Sequence, residues 1–166
     1  SMTTNASLLT EDRARVLRTA GLKRINISLD ALDEATFAAI TDSGHTVAAV
    51  LAGIEAAESV GLGPIKINTV VKKGVNEGEL LDLVERFSNR DIAVRFIEYM
   101  DVGTTNGWAM DDVVTAAEIR NLLGDLEVIE PSRRGDVAKR YQLPQGGEVG
   151  LITSVTEPFC GDCTRA

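Results

Sequence analysis

The stretch Ile65-Lys66-Ile67-Asn68-Thr69-Val70-Val71 decides the fold class of this chain. Its apolar and polar residues alternate, and β-branched residues are frequent in it, which is typical of a β-strand. Similar stretches occupy residues 24–30 and 92–100. Helical patterns separate these stretches, and a strand–helix–strand order predicts a parallel sheet with covering helices.

The helices are predicted from the spacing of apolar residues and from capping residues at their starts. The predicted ranges are residues 9–20, 33–41, 46–59 and 116–123, and a further helix runs from Asn76 to about Phe87. Thr10 is expected to cap the first helix, and Asn76, followed by Glu79, is expected to cap the helix that it precedes. Thr115 and Glu118 have the spacing of a capping box.

The last part of the chain has a different pattern. Its predicted short antiparallel strands, joined by glycine and proline turns, are residues 126–129, 137–143 and 148–154. We therefore divide the chain into a β/α part, residues 3–125, and a β extension, residues 126–166, after a tag scar at residues 1–2. About three β/α units are too few for a closed eight-stranded barrel. The β/α part is thus either a small open sheet or the back half of a barrel.

Composition limits the function classes. The chain has 166 residues and a hydrophobic fraction of 44%, which suffices for one domain with a core. Its net charge of −8 argues against non-specific nucleic-acid binding, which needs many cations on the phosphates, but not against a small anion. We find no signal peptide and no apolar run of membrane-spanning length. We expect a cytoplasmic protein with neither a membrane nor a nucleic-acid partner.

Cys160 and Cys163 are the only cysteines, and they form a C-x-x-C motif. Two close cysteines suit a reducing compartment and a metal better than a disulfide framework. A zinc or iron–sulfur centre takes three or four ligands, however, and the only histidine, His45, is distant in the sequence. We therefore expect the sequence to be a piece of a larger protein that stops within a metal-binding motif, with no complete cluster of its own.

Residues able to contact a ligand recur toward the carboxyl ends of the predicted strands, where parallel α/β folds bind ligands. These residues are Ser28, Asp30, Lys66, Asn68, Arg95 and Met100. Each alone has a structural explanation: a lysine on a wet face, an arginine in an ion pair, an aspartate that caps the next helix, a methionine in the core. Their repetition on successive strands favours a binding site.

These residues lie within stretches that occur in the same order in one known family. The stretches are Thr3–Asn5, Arg24–Ala31, Lys66–Val71, Arg95–Gly103, Gly150–Val155 and Phe159–Ala166. On these stretches the chain resembles the GTP 3′,8-cyclase family, which are radical S-adenosylmethionine enzymes of molybdenum-cofactor biosynthesis. The resemblance covers essentially the whole chain after the predicted scar.

The resemblance implies a partial β/α barrel of the TIM type with two 4Fe–4S clusters. The first cluster binds S-adenosylmethionine and cleaves it to a 5′-deoxyadenosyl radical, and the second cluster holds the guanine base of GTP at an open iron. The radical removes the 3′ hydrogen of the ribose, and the sugar carbon then attacks C8 of guanine. The product, (8S)-3′,8-cyclo-7,8-dihydroguanosine 5′-triphosphate, is passed to cyclic pyranopterin synthase, the downstream partner.

The same resemblance assigns roles to residues of this sequence. The residues that match S-adenosylmethionine contacts are Ser28, Asn68 and Met100. The residues that match GTP contacts are Thr3, Lys66, Arg95 and Arg165. The residues that match ligands of the second cluster are Cys160 and Cys163. Lysine and arginine on a rigid scaffold suit a triphosphate, because charge-assisted hydrogen bonds are the strong ones.

The sequence departs from the family pattern in several respects. It lacks the C-x-x-x-C-x-x-C motif of the first cluster, the third cysteine of the second cluster and the second arginine of an R-x-R motif. Ala6 stands where the family usually has glycine in a T-T-N-G turn. We therefore expect this chain alone to be inactive. An open sheet edge would also favour self-association.

Two other interpretations remain open. The first is an aldolase-like, phosphate-binding barrel in which Lys66 is the reactive amine. The second is a non-enzymatic metal-binding or interaction module in which Cys160 and Cys163 bind zinc together with cysteines of another chain. Neither interpretation explains the ordered stretches.

Overall fold

The computed structural model describes residues 1–41, 44–100, 107–131, 136–144 and 146–157. Its strands are β1 Met2–Thr4, β2 Ile25–Ser28, β3 Ile65–Val71, β4 Ile92–Glu98, β5 Glu127–Ile129, β6 Lys139–Gln142 and β7 Glu148–Ile152. Its helices are α1 Glu11–Thr19, α2 Glu34–Ile40, α3 Val47–Ser59, α4 Leu80–Phe87 and α5 Ala116–Leu123. Within the described ranges, no helix is both long and apolar enough to cross a membrane.

The strands form one seven-stranded sheet in the order β1-β2-β3-β4-β7-β6-β5. Every pair from β1 to β7 in this order is parallel, whereas β6 is antiparallel to both β7 and β5. The predicted α/β fold with a mostly parallel sheet is therefore confirmed. Because β7 lies beside β4, the last part of the chain extends the sheet that the β/α units begin.

Polar side chains begin four of the helices. Thr10, Asp33, Thr46 and Thr115 each accept a hydrogen bond from a backbone N–H of the first helical turn. Such caps satisfy donors that have no partner within the helix. The predicted cap at Thr10 and the predicted capping box of Thr115 and Glu118 are confirmed.

The predicted cap at Asn76 is wrong. The carboxamide oxygen of Asn76 accepts a hydrogen bond from Lys72 N (2.8 Å), and its nitrogen donates to Asp30 O (2.7 Å) and Val70 O (2.8 Å). A 3₁₀ turn at Glu77–Glu79 precedes α4 instead. A buried amide must satisfy both of its ends, and the ends of β2 and β3 supply the partners that Asn76 needs.

One strand boundary differs from the prediction, and one strand was not predicted. The strand predicted over residues 92–100 ends at Glu98. Met2 lies in β1 and is paired with Ile25, and the tag scar at residues 1–2 stays a prediction. A strand of three residues is too short to give a recognisable alternation, so β1 was missed.

One face of the parallel sheet packs against the helices. Its buried strand residues include Ile25, Ile27, Ile65, Ile67, Val94 and Phe96. They belong to one core cluster with helix residues such as Val50, Ile54, Leu83 and Phe87. Since side chains alternate across a strand, the residues between them point to the other face.

The turn after β1 holds a buried residue in a left-handed conformation. Ala6 is 1% exposed and has φ = +56°, a region that costs an L-residue roughly 1–2 kcal/mol. This geometry explains why glycine suits the position. Gly53 of α3 lies against the same turn, and a Cβ at Gly53 would lie 2.2 Å from Ala6 O.

Candidate functional site: the open face of the sheet

The second face of the parallel sheet carries polar side chains that are partly exposed. We call it the open face and define it by Asn26, Ser28, Lys66, Asn68 and Arg95. Strand register arranges its residues in two rows across the sheet. The Lys66 row consists of Thr3, Asn26, Lys66, Ala93 and Glu148. The Asn68 row consists of Ser28, Asn68, Arg95, Gly150 and Arg140.

The rows explain how the predicted contacts are positioned. Successive same-face residues of a strand are about 6.6 Å apart, so the Asn68 row lies one such step closer to the carboxyl ends of β2 and β3. Thr3 and Lys66, two predicted GTP contacts, share the first row, whereas Ser28 and Asn68, two predicted S-adenosylmethionine contacts, share the second. Arg95 lies in the second row beside Asn68. One sheet face thus collects five of the predicted residues.

The edge of the Lys66 row is ordered by a side-chain hydrogen bond. Asn26 Nδ2 donates to Thr3 Oγ1 at 3.3 Å, across the β1–β2 pair. This bond keeps the Thr3 hydroxyl on the open face, two positions across the sheet from Lys66. A hydroxyl and an ammonium group in one row can donate to neighbouring oxygens of a single anionic ligand.

Lys66 lies in an unfavourable environment for a cation. Partial burial lowers the pKa of its ammonium group, and the nearby Arg95 and Arg140 lower it further. Glu148 opposes this effect. A site that disfavours its own positive charge gains by binding an anion, because the anion relieves the repulsion between Lys66 and Arg95.

Arg140 and Glu148 form an ion pair on the open face that the sequence did not reveal. Arg140 Nε lies 2.9 Å from Glu148 Oε1, and Arg140 Nη2 lies 2.6 Å from Glu148 Oε2. Hydrogen bonding to Arg140 holds the pKa of Glu148 below its ordinary value, and Lys66 and Arg95 add to the effect. The pair comes from β6 and β7, whose alternation gives no sign that they join the parallel strands.

The Asn68 row contains a buried polar atom without a partner. Asn68 Oδ1 is inaccessible to solvent and accepts no hydrogen bond from the described part of the chain. Such an atom costs about 1–3 kcal/mol unless a ligand or water supplies a donor. Its neighbours in the row are Ser28 and Arg95. The orphaned oxygen therefore marks a place where a ligand donor fits.

Gly150 leaves room for Arg95. A Cβ at Gly150 would lie 3.1 Å from Arg95 Cγ and 3.2 Å from Ala138 Cβ. Both distances are shorter than ordinary packing contacts. The stem of Arg95 therefore lies against the glycine, where a larger residue would crowd it.

Asp30 lies just beyond β2. One structural explanation from the sequence was that Asp30 caps the next helix, and the structure shows that it does not. Asp33 caps α2, whereas Asp30 Oδ1 accepts a hydrogen bond from Val70 N at 2.8 Å. Burial raises the pKa of Asp30, and the bond from Val70 partly offsets this effect. Asp30 thereby joins the ends of β2 and β3 beside the Asn68 row.

The remaining predicted residues are not brought into the rows. Met100 follows the end of β4 and is 45% exposed, so strand register does not align it with the open face. Cys160, Cys163 and Arg165 lie outside the described residues. Within the described ranges, no group of three or more histidine, cysteine, aspartate or glutamate residues is arranged to hold a metal ion.

Two known families match parts of this chain. Residues 1–87, more than half of the chain, match the Radical SAM superfamily. The chain belongs to the Radical SAM superfamily. Residues 92–166 of this radical SAM chain match a second family, Molybdenum Cofactor Synthesis C, so the two matches meet just before β4.

Similar curated proteins share one name, GTP 3′,8-cyclase. A protein of Acidothermus cellulolyticus is 47% identical over 169 residues, which are 99% of this chain and 46% of the relative. A protein of Xanthomonas axonopodis pv. citri is 46% identical, over 100% of this chain and 51% of the relative. A protein of Staphylococcus saprophyticus is 42% identical, over 99% and 49%. The radical SAM chain therefore spans about half the length of these relatives.

The residues of this radical SAM chain fit the groups that its superfamily uses only in part. The orphaned Asn68 Oδ1 and the adjacent Ser28 suit the polar donors and acceptors of S-adenosylmethionine. Cys160 and Cys163 suit a 4Fe–4S cluster in kind, since thiolates are its ligands, and supply two of them. The sequence contains no C-x-x-x-C-x-x-C motif.

Proposed function

We propose that this chain is the GTP-binding and S-adenosylmethionine-binding half of a GTP 3′,8-cyclase. The observation that supports the proposal is the pairing of two rows on one sheet face. One row contains the partly buried Lys66 and is proposed for the nucleotide, and the other contains an acceptor that finds no donor among the described residues and is proposed for the cofactor. Ligands of α/β folds bind at the carboxyl ends of parallel strands. Ser28 of the Asn68 row is the last residue of β2, whereas Lys66 is the second residue of β3, so the Lys66 row lies nearer the amino ends than the sequence predicted.

In this proposal the Lys66 row holds GTP. Thr3 and Lys66 donate to phosphate oxygens, and Arg95 approaches the same ligand from the next row. Bound phosphate favours the charged form of Lys66, which the empty site disfavours. Arg165 adds a further cation from the segment that carries the cysteine pair. Several cations held by neighbouring strands fix the position of the triphosphate.

The Asn68 row holds S-adenosylmethionine in the same proposal. Asn68 Oδ1 accepts a hydrogen bond from a ligand donor, and the Ser28 hydroxyl gives a second contact. Met100, which follows the end of β4, is proposed as a further ligand contact on the resemblance alone. Bound S-adenosylmethionine supplies the hydrogen-abstracting radical of this superfamily. The role of the two rows is to hold the ribose of GTP beside that cofactor, since proximity and orientation lower the barrier of the transfer.

Cys160 and Cys163 are proposed as two ligands of a second 4Fe–4S cluster that contacts the guanine base. A further ligand has to come from outside this sequence, as do the ligands of the first cluster. We infer from this that the 166-residue chain alone does not turn over GTP.

The proposal also includes the place of this chain in the architecture of the full-length protein. The parallel strands form the back part of the β/α barrel of the full-length protein, and residues 126–166 form its β extension. In isolation, the edge of β1 would remain unpaired and favour association of two copies. The cyclic product is handed to cyclic pyranopterin synthase.

The proposal is tested by turnover in the full-length protein. Under anaerobic reducing conditions, we expect GTP and S-adenosylmethionine to give the 3′,8-cyclised nucleotide and 5′-deoxyadenosine. Lys66→Met should abolish product formation, whereas Lys73→Met should preserve it. Lys73 is the matched control because it is exposed and binds Glu118, 2.9 Å away, rather than the open face. Equal activity of the two variants would contradict the assignment.

The aldolase-like alternative keeps one observation in its favour. The lowered pKa of Lys66 makes its amine more available for a carbonyl than an ordinary lysine amine. Borohydride reduction in the presence of a ketose or aldose phosphate, followed by peptide mass analysis, decides between the two. We expect no adduct at Lys66; a stoichiometric adduct would support the alternative.

A further inference from the structure

A cavity of about 330 Å³ lies at the amino ends of β3 and β4, where these strands meet β6 and β7. The charged residues that line it are Lys66, Arg90, Asp91, Arg140 and Glu148. Its volume falls within the range of roughly 300–1,000 Å³ that is usual for ligand pockets. Whether such a cavity attracts an anion depends on how far its cations are already neutralised.

Two cations of the cavity differ in this respect. Arg90 donates two hydrogen bonds to the carboxylate of Glu58, so its charge is matched. Lys66 forms no ion pair within the described part of the chain. The cavity therefore contains a partly buried ammonium group that no carboxylate of the described residues neutralises by direct contact.

Glu148 is the carboxylate that lies among the other cations. Arg140 donates to both of its oxygens, and the side chains of the two residues are each only 26% exposed. Lys66 and Arg95 are also close enough to lower the pKa of Glu148. The two oxygens of Glu148 thus provide what two oxygens of a phosphate group would provide, because a guanidinium group pairs with either anion in the same bidentate geometry.

Arg140 keeps donors that Glu148 does not use. A guanidinium group has five N–H donors, and Glu148 engages those of Nε and Nη2. Nη1 of Arg140 forms no hydrogen bond with the described residues. Arg140 also lies close enough to Lys66 to lower its pKa. An anion bound at Lys66 therefore lies within the influence of a second cation that has donors to offer.

We propose that Arg140 is a further contact for the phosphates of the bound nucleotide, and that Glu148 is the internal counter-ion that holds Arg140 before the nucleotide binds. Phosphate oxygens then replace Glu148 as the partner of Arg140. The triphosphate accordingly extends from Lys66 toward β6 and β7. The inference rests on the proposed function, because it takes the Lys66 row as the nucleotide site.

The test compares three variants of the full-length protein by calorimetric titration with GTP under anaerobic conditions. Arg140→Gln removes the proposed contact, and Glu148→Gln removes the counter-ion while keeping the shape of the side chain. Lys139→Gln is the matched control, because Lys139 is the neighbouring cation of β6 and its side chain points to the opposite face. Lys139 is exposed and pairs with Glu157 instead.

We expect Arg140→Gln to raise the dissociation constant of GTP by about tenfold or more, because it removes charge-assisted hydrogen bonds. Glu148→Gln should lower this constant by about threefold or more, since it removes an anion that repels the phosphates and competes for Arg140. Lys139→Gln should change it by about twofold at most. These opposite signs separate a counter-ion from a purely structural ion pair, for which both variants would weaken GTP binding alike.

The remaining outcomes are also decisive. GTP binding that is unchanged in Arg140→Gln, or weakened in Glu148→Gln, would overturn the inference and leave the proposed function standing. If Arg140→Gln does not fold, Arg140→Lys, which keeps the charge but not the paired donors, should still weaken GTP binding by about threefold, and wild-type affinity would overturn the inference. If the wild-type protein does not bind GTP, the proposed function fails and the inference fails with it.

Discussion

The two faces of the parallel sheet are made by the same strands but do different work. On β3, Ile65, Ile67 and Val71 are buried under the helices, whereas Lys66 and Asn68, between them, face the open side. The helix-covered face holds a continuous apolar core. The open face holds a cation whose charge is disfavoured and an acceptor, Asn68 Oδ1, for which the described residues supply no donor.

This contrast separates stability from binding within one strand. Polar residues on the open face do not contribute to the core, and two of them lie in environments that weaken the folded state. Such residues persist at binding sites, where a ligand satisfies them. Substitutions on the two faces should therefore have opposite consequences.

The largest expected effect compares adjacent residues of β3. Ile67→Ala should lower the free energy of unfolding by about 2–5 kcal/mol, because a fully buried side chain leaves a cavity. Asn68→Ala should leave stability unchanged or raise it by up to about 1 kcal/mol, because it removes an unsatisfied acceptor. Urea denaturation of both variants measures the difference. Similar losses for the two would contradict the division between the faces.

The second effect tests how tightly the helix layer is packed. Gly53→Ala should lower the free energy of unfolding by about 1–3 kcal/mol, since its Cβ would meet the backbone of the Ala6 turn. Gly78→Ala is the control, because a Cβ there meets nothing within 4 Å. Thermal unfolding is the measurement. A gain of stability for Gly53→Ala, as helix propensity alone predicts, would show that the turn adapts.

The third effect sharpens the description of the open face through Lys66. Its folded-state pKa lies below the ordinary 10.5, so the unfolded chain binds more protons between the two values and stability rises with pH through that window. Lys66→Met should remove this rise, leave stability at pH 8 equal or higher, and weaken GTP binding by about tenfold or more. Melting curves at pH 8 and pH 10 and calorimetric titration test these points. A large loss of stability at pH 8 would count against the account.

The smallest effect lies in the helix layer, away from the open face. Hydrogen bonds from Thr115 and Lys73 lower the pKa of Glu118 to about 2. Its stabilising effect is therefore present above its ordinary pKa of 4.5 and is lost as the pH falls toward 2. Glu118→Gln should lower the free energy of unfolding at pH 7 by about 0.5–1 kcal/mol and leave GTP binding unchanged. A difference from wild type that persists at pH 2 would refute this explanation.

The sequence predicted the parallel part of the fold well, because strand alternation and capping residues are local signals. The range of β3 and the caps at Thr10 and Thr115 follow from such signals. The alternation of Lys66 and Asn68 also predicted correctly that both face the same side. β1 was missed because three residues carry no period.

The parts that could not be predicted depend on contacts between distant segments. The sequence around Asn76 predicts a helix cap, but the side-chain amide of Asn76 instead donates hydrogen bonds to the carbonyls of Asp30 and Val70. Arg140 and Glu148 reach the open face only because β7 lies beside β4. In the sequence, Glu98 is only a polar residue at the end of a strand. In the structure, its carboxylate accepts hydrogen bonds from Val155 N and Thr156 N, almost sixty positions away. No local pattern encodes these pairings.

The central claim is that the open face binds the nucleotide and the cofactor in two separate rows. Side-chain amide signals of ¹⁵N-labelled asparagines in a nuclear magnetic resonance titration test it most directly. GTP should shift the Asn26 signal, S-adenosylmethionine should shift the Asn68 signal, and neither should shift Asn89 or Asn121, which lie outside the rows. Unchanged Asn26 and Asn68 signals at saturating ligand, or shifts confined to Asn89 and Asn121, would contradict the claim.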